Sequence, residues 1–151
     1  MSGMYYEDFV IGDVIRHEVT RTVTETDNLL ITTLTMNVQP LHLDAEFAGE
    51  SMFGRQIVNS IFTLGVVTGV PVQETTLGTT LGNLGFREVS FPKPVFFGDT
   101  LRVETETLDK RESKSRPETG IVGIEHRGFN QNDELVCTVR RTALMKRRPT
   151  E

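Results

Sequence analysis

Ile57-Val58-Asn59-Ser60-Ile61-Phe62-Thr63-Leu64-Gly65-Val66-Val67-Thr68-Gly69-Val70 is the stretch on which the fold turns. It carries no charge, and its apolar residues fall on nearly every side of a helix. A helix of that kind is buried on most of its faces. Asn59 or Ser60 supplies an N-cap, and Pro71 stops the helix. Gly65 and Gly69, four apart, admit a close neighbouring backbone at some loss of helix propensity. A buried apolar strand is the competing reading of the same run.

Downstream, the pattern changes to period two. Leu81 to Phe91 reads as a strand stopped by Pro92 and Pro94. Thr100 to Leu108 alternates almost perfectly, Thr119 to Phe129 more weakly, and Glu134 to Met145 forms the last strand after an Asn130–Asp133 turn. Short links between long strands predict an antiparallel sheet. Ser113 to Glu118 reads as a solvated hairpin tip, and Lys146-Arg147-Arg148 as a frayed, solvated C-terminus.

Upstream, Val10–Ile15 and His17–Val23 read as an opening strand. Thr24-Glu25-Thr26-Asp27 starts a helix with a hydroxyl cap and acids in the first turn. That helix ends near Met36-Asn37, because Pro40 pushes Gln39 out of helical geometry. Asn37 to Asp44 is then a loop, Ala45–Ala48 a short turn, and Asp44 a cap for that turn. The sum is an α+β fold in which a curved antiparallel sheet wraps around one apolar helix.

The chain has 151 residues, a length that fits one domain over 1–151. It has 37% hydrophobic residues and no Trp, a thin share for a self-sufficient core, so a partner subunit would help. A net charge of −5 disfavours general nucleic-acid binding. No run is long enough to span a membrane, and the first residues lack a secretory leader pattern. The single cysteine, Cys137, excludes an internal disulfide framework and a Cys-based zinc site; it reads as an inert, buried strand residue. His17, His42 and His126 lie far apart in sequence, without metal-ligand spacing. A reducing, cytoplasmic setting is expected, with no metal.

The densest polar cluster beside apolar elements is Asn37-Val38-Gln39-Pro40-Leu41-His42-Leu43-Asp44. His42 is the residue here able to exchange a proton near neutral pH without a large pKa shift. On residues alone it is either a proton carrier or a structural histidine. Arg55 suits a carboxylate or a phosphate. Arg87, Arg102 and Arg127 read as outward-facing strand charges.

The stretch from Asp27 to Gly69 resembles the MaoC-type enoyl-CoA hydratase family of the hot-dog fold. That family's pattern is D-x-N-P-x-H-x-D, then E-E-F-A-like residues, then F-G-x-x-I-V-H-G. This chain has N-V-Q-P-L-H-L-D (Asn37–Asp44), A-E-F-A (Ala45–Ala48) and F-G-R-Q-I-V-N-S (Phe53–Ser60). F-P-K-P-V-F-F-G-D-T-L (Phe91–Leu101) is similar to a later family segment. Met36–Asp44 with Asn59–Gly65 resembles the subgroup near mesaconyl-CoA and itaconyl-CoA hydratases.

The resemblance implies addition or removal of water across the 2,3 bond of an enoyl-CoA thioester, short and branched dicarboxylic in the subgroup. It implies no cofactor, the CoA being part of the substrate, and a homodimer or higher homo-oligomer. His42 matches the catalytic His. The Ser60 backbone N–H matches the thioester-holding amide, and Thr68 falls where some members line the site with Ser. Asn37 stands where the catalytic Asp belongs, Gln39 replaces the motif's Asn, and Asn59 its His. An amide is no general base, but it orients water. Either His42 alone shuttles the proton while Asn37 and Gln39 position water or substrate, or the chain is a weak or non-catalytic acyl-CoA-binding member. A hot-dog thioesterase is disfavoured, because Ile57–Val70 carries no carboxylate to activate water.

Overall fold

A computed structural model describes residues 3–149. Its elements are β1 (Val14–Arg16), β2 (Arg21–Thr22), α1 (Glu25–Leu34), α2 (Pro40–Leu43), α3 (Ala45–Gly49), α4 (Ser60–Gly69), α5 (Val72–Thr75), β3 (Thr80–Ser90), β4 (Thr100–Glu112), β5 (Thr119–Phe129) and β6 (Leu135–Lys146). All strand pairs are antiparallel, in the order β1-β4-β5-β6-β3, with β2 also on β4. α4 lies across β4, β5 and β6. This is the α+β architecture expected from the alternating strands and the apolar helix.

Thr24 caps α1 in a reciprocal box with Asp27, as its hydroxyl and the following acids predict. α1 ends at Leu34, earlier than Pro40 requires, and Met36 takes a left-handed φ of 57° at the exit. The Asn37–Asp44 segment is not wholly loop: Pro40 sits at the first position of α2, where its missing N–H is no loss. Asp44 accepts from Glu46 N and Phe47 N and caps α3. The opening strand splits into β1 and β2.

The apolar run is helical only from Ser60. Ile57 and Val58 stay extended, and Val58 N bonds Val95 O at 2.8 Å. Nor is α4 buried on most sides: Thr63 and Val67 are buried, whereas Ile61, Gly65 and Gly69 are exposed. The sheet covers one face of the helix, and among the described residues nothing covers the Ile61, Gly65 and Gly69 side. The covered face sits close. A Cβ on Gly128 of β5 would lie 2.4 Å from Val67 Cγ2, so the helix rests on bare backbone there.

Three apolar clusters follow one another along the concave face. Val23, Val58, Val95, Leu101 and Val136 pack at the start of α4. Val67, Val103, Cys137 and Val139 pack under its middle. Tyr6, Phe9, Val122, Ile124, Ala143 and Met145 close the far end. The C-terminal segment is not frayed either: Arg147 pairs with Glu7 and Glu112, and Arg148 with Asp8, against the N-terminal turn.

Candidate active site

Asn28 organises the site from beneath. It is 1% exposed on α1; its Oδ1 accepts from Asn59 N at 2.8 Å and its Nδ2 donates to His42 O at 3.0 Å. Gln56 Nε2 donates to the same His42 carbonyl. One buried amide thus ties α1, the α2 turn and the start of α4 together. Such a fully satisfied polar group fixes a single local geometry.

His42 stands on α2, half-buried, with Nδ1 2.9 Å from Ile57 O. A carbonyl only accepts, so Nδ1 carries the hydrogen, and Nε2 is the ring nitrogen at which a proton can be exchanged. Ile57 and Ser60 line an apolar cleft of about 220 Å³ with Phe53, Thr63, Pro94 and Val136. At its head, Asn59 Oδ1 caps Ile61 N, and Phe62 N turns back to Asn59 O. Ser60 N–H, in the first turn of α4, has no helical acceptor. It adds to the positive end of the helix dipole.

The other residues singled out in the sequence separate into two groups. Asn59 is 1% exposed, and its amide is fully engaged: Oδ1 caps the helix and Nδ2 donates to Thr32. It serves the fold, so its expected substrate contact is replaced by a capping role. Thr68 likewise donates its hydroxyl to Leu64 O within α4. Asn37 is half-buried; its Oδ1 accepts from Gln39 N at 3.2 Å, leaving the Nδ2 hydrogens unengaged. Gln39 is exposed and makes no side-chain cap bond. Arg55 is exposed, its guanidinium 3.7 Å over the Phe96 ring. It borders a polar recess of about 320 Å³ with Lys93, Asn130, Gln131 and Glu134, and Lys93 and Pro94 also line the apolar cleft.

The sequence reading did not anticipate a buried polar chain beyond the cleft. Arg141 Nε donates to His126 Nε2 at 2.9 Å, and His126 Nδ1 lies 2.8 Å from Thr105 Oγ1. Thr105 Oγ1 lies 2.7 Å from His17 Nε2, and His17 Nδ1 meets the Glu74 carboxylate. Burial, then the Arg141 charge and His17, push the His126 pKa down to about 3, which keeps its ring neutral. Arg141 therefore donates to His126 Nε2, and His126 Nδ1–H donates to Thr105, while His17 joins Thr105 to the Glu74 carboxylate. The available signal was phase. Arg141 occupies an inward position of β6, between Val139 and Ala143. Cys137, in phase with them, is buried as expected and its thiol is pushed up to about 11. Of the strand arginines read as outward, Arg102 pairs with Asp133 and Glu104, and Arg127 with Glu106 and Glu125.

An apolar cleft headed by a helix N-terminus, with His42 bonded to the carbonyl of one of its lining residues, suits a polarised, mostly apolar ligand. Residues 8–128 match the MaoC like domain, and the chain belongs to that family. It is 32% identical over 149 residues to a mesaconyl-CoA hydratase of Cereibacter sphaeroides, covering 99% of this chain and 43% of that protein. The chain spans about two fifths of the length of the first curated relatives it matches. Among solved structures it is similar to an Archaeoglobus protein described as a monoamine oxidase regulatory protein, with TM-score 0.87 and 31% identity over 99% of this chain and 98% of that one. A Mycobacterium tuberculosis protein with a double hotdog fold matches with TM-score 0.87 and 23% identity, over 99% of this chain and 46% of that chain. The fold is therefore a hot-dog. No helix among the described residues is long and apolar enough to cross a membrane.

Proposed function

We propose that this chain is an enoyl-CoA hydratase or 3-hydroxyacyl-CoA dehydratase unit, acting on a short, branched dicarboxylyl thioester of the mesaconyl- or itaconyl-CoA type. The observation that carries the reading is His42: Nδ1 is pinned to the carbonyl of Ile57, a residue of the cleft that Ser60 heads, and this leaves Nε2 for proton transfer. In this reading Nε2 takes a proton from water as its oxygen bonds the β-carbon. The double-bond electrons move through the α-carbon to the thioester oxygen, which Ser60 N–H stabilises. The proton on Nε2 then passes to the α-carbon. Asn37 Nδ2 orients the water, and the exposed Gln39 borders its entry.

The family relationship and the 32% identity to a mesaconyl-CoA hydratase support the substrate class. Arg55 offers a cation to the CoA phosphates in the polar recess beside the cleft, where Lys93 is already paired with Glu134. CoA enters as part of the substrate, and the chemistry asks for no metal or further cofactor. The unit works as a homodimer in the cytoplasm, its uncovered α4 face and β3 edge supporting that assembly.

The test is loss of enoyl absorbance with crotonyl-, mesaconyl- and itaconyl-CoA. Hydration of mesaconyl- or itaconyl-CoA by the wild type, falling about 10²-fold or more in His42→Ala, is the expected result. Binding of all three thioesters without hydration gives the non-catalytic reading instead. Activity surviving His42→Ala nearly intact removes His42 from the mechanism.

A further inference from the structure

Arg141 is 8% exposed and has no carboxylate partner among the described residues; burial alone lowers its pKa. Its Nε is held by His126. Its two Nη groups bond nothing described, yet they are not sealed, since among the described residues Thr79 Oγ1 is the one fully buried side-chain polar atom left without a partner. A buried, uncompensated cation is costly unless something completes it. The nearest compensation inside the fold is Glu74, four hydrogen bonds away.

The position of the fork is set by strand register. Arg141 pairs with Ile124 on β5 and Phe86 on β3, while His126 pairs with Val139. Reaching His126 therefore tilts the side chain two residues back toward the start of β6. The guanidinium lies near the level of Val139, three residues and about 10 Å from Val136 in the cleft wall. α4 packs on β4, β5 and β6, and the edge strand β3 beside them exposes Leu81, Leu84 and Phe86. The side of β6 toward β3 is thus the less covered side.

We propose that Arg141 recognises the free carboxylate of a dicarboxylyl thioester, its Nη fork taking both oxygens. The proposal rests on the enoyl-thioester reading above and assigns the anion site within it. The four-carbon backbone of a branched diacid, with a hydrogen bond at its end, reaches roughly 8 Å, the scale of the separation between the fork and the cleft wall. The relay gives the fork its aim: His126, neutral and accepting, fixes Nε, so the remaining donors face away from it. Cys137 and Val139 precede Arg141 on the same inward face of β6, and beside that apolar face a charge-assisted pair is strong. Arg55 is the contrasting cation, exposed and stacked on Phe96 in the polar recess.

The test is calorimetric binding of two saturated five-carbon thioesters, glutaryl-CoA and valeryl-CoA, which differ in the distal carboxylate. The wild type is expected to bind glutaryl-CoA the more tightly. Arg141→Gln is expected to lose roughly 10- to 100-fold for glutaryl-CoA and to leave valeryl-CoA within about twofold. Arg141→Lys should fall between. Equal loss on both thioesters means a structural arginine and overturns the assignment, as does a wild type with no preference, which needs no variant to observe. Failure of the hydratase reading shows separately, as wild-type protein that hydrates none of the enoyl thioesters.

Discussion

At the residue scale, Asn37 is the position where this chain departs from its family's acid. Its Oδ1 already accepts from Gln39 N, so an aspartate would keep that turn and add a charge. A diacid thioester brings its own anion into the cleft, and with that anion held at Arg141, on the order of 10 Å away, a charge at position 37 repels it by roughly 0.4–1.7 kcal/mol, depending on exposure. Asn37→Asp is therefore expected to lower kcat/KM for mesaconyl- or itaconyl-CoA relative to crotonyl-CoA by roughly 2- to 15-fold. The ratio of the two, measured on one preparation, checks this; an unchanged ratio removes the charge argument. His42 stood out in the sequence as the one residue of its polar cluster able to exchange a proton near neutral pH, and the structure sets it half-buried on α2, bonded to Ile57 O. Asn59 was not, since whether an amide meets ligand or caps a helix depends on burial, and its burial comes from Asn28 across 31 residues.

At the element scale, the strands were legible because each buries one face: β4 alternates buried and half-buried residues from Thr100 to Leu108. The start of α4 was not. Ile57 and Val58 are as apolar as the helix, and bonds to distant segments keep them extended: Val58 N to Val95 O, Ile57 N to Leu41 O and His42 Nδ1 to Ile57 O. The relay was hidden for a related reason. His17, Thr105, His126 and Arg141 come from four separate segments that only the sheet brings into line. Its consequence is a pH dependence with a definite sign. An unfolded histidine titrates near 6.5, and His126 in the fold near 3. Above about 6.5 both states are neutral there. Between 6.5 and 3 the unfolded chain binds a proton that the fold refuses, so stability falls as pH falls, by at most ~1.4 kcal/mol per unit. Urea midpoints of the wild type should therefore drop more steeply from pH 6.5 to 4 than those of His126→Gln. Parallel curves would mean that His126 takes up its proton without resistance.

At the scale of the whole molecule, the thin apolar share of the composition meets a surface that wastes it. Leu29, Leu30 and Leu34 of α1, Ile61 of α4, and Leu81, Leu84, Phe86 and Val89 of β3 are all exposed. β3 is also a sheet edge, with one row of backbone groups unpaired by this chain. A long apolar edge left open invites pairing or aggregation. A second copy joined through β3 and the open α4 face would cover both at once. It would also wall the cleft, because Ser60 and Ile61 lie on adjacent positions of the same first turn. Assembly and activity should then be lost together. Leu84→Lys with Phe86→Lys places two like charges on each edge, and the protein is expected to elute at monomer mass with kcat/KM down at least about tenfold. Diluting the wild type through its dissociation range should trace the same loss, in step with the change in sedimentation. A dissociated chain that keeps full activity would show that each hot-dog unit carries a complete site of its own.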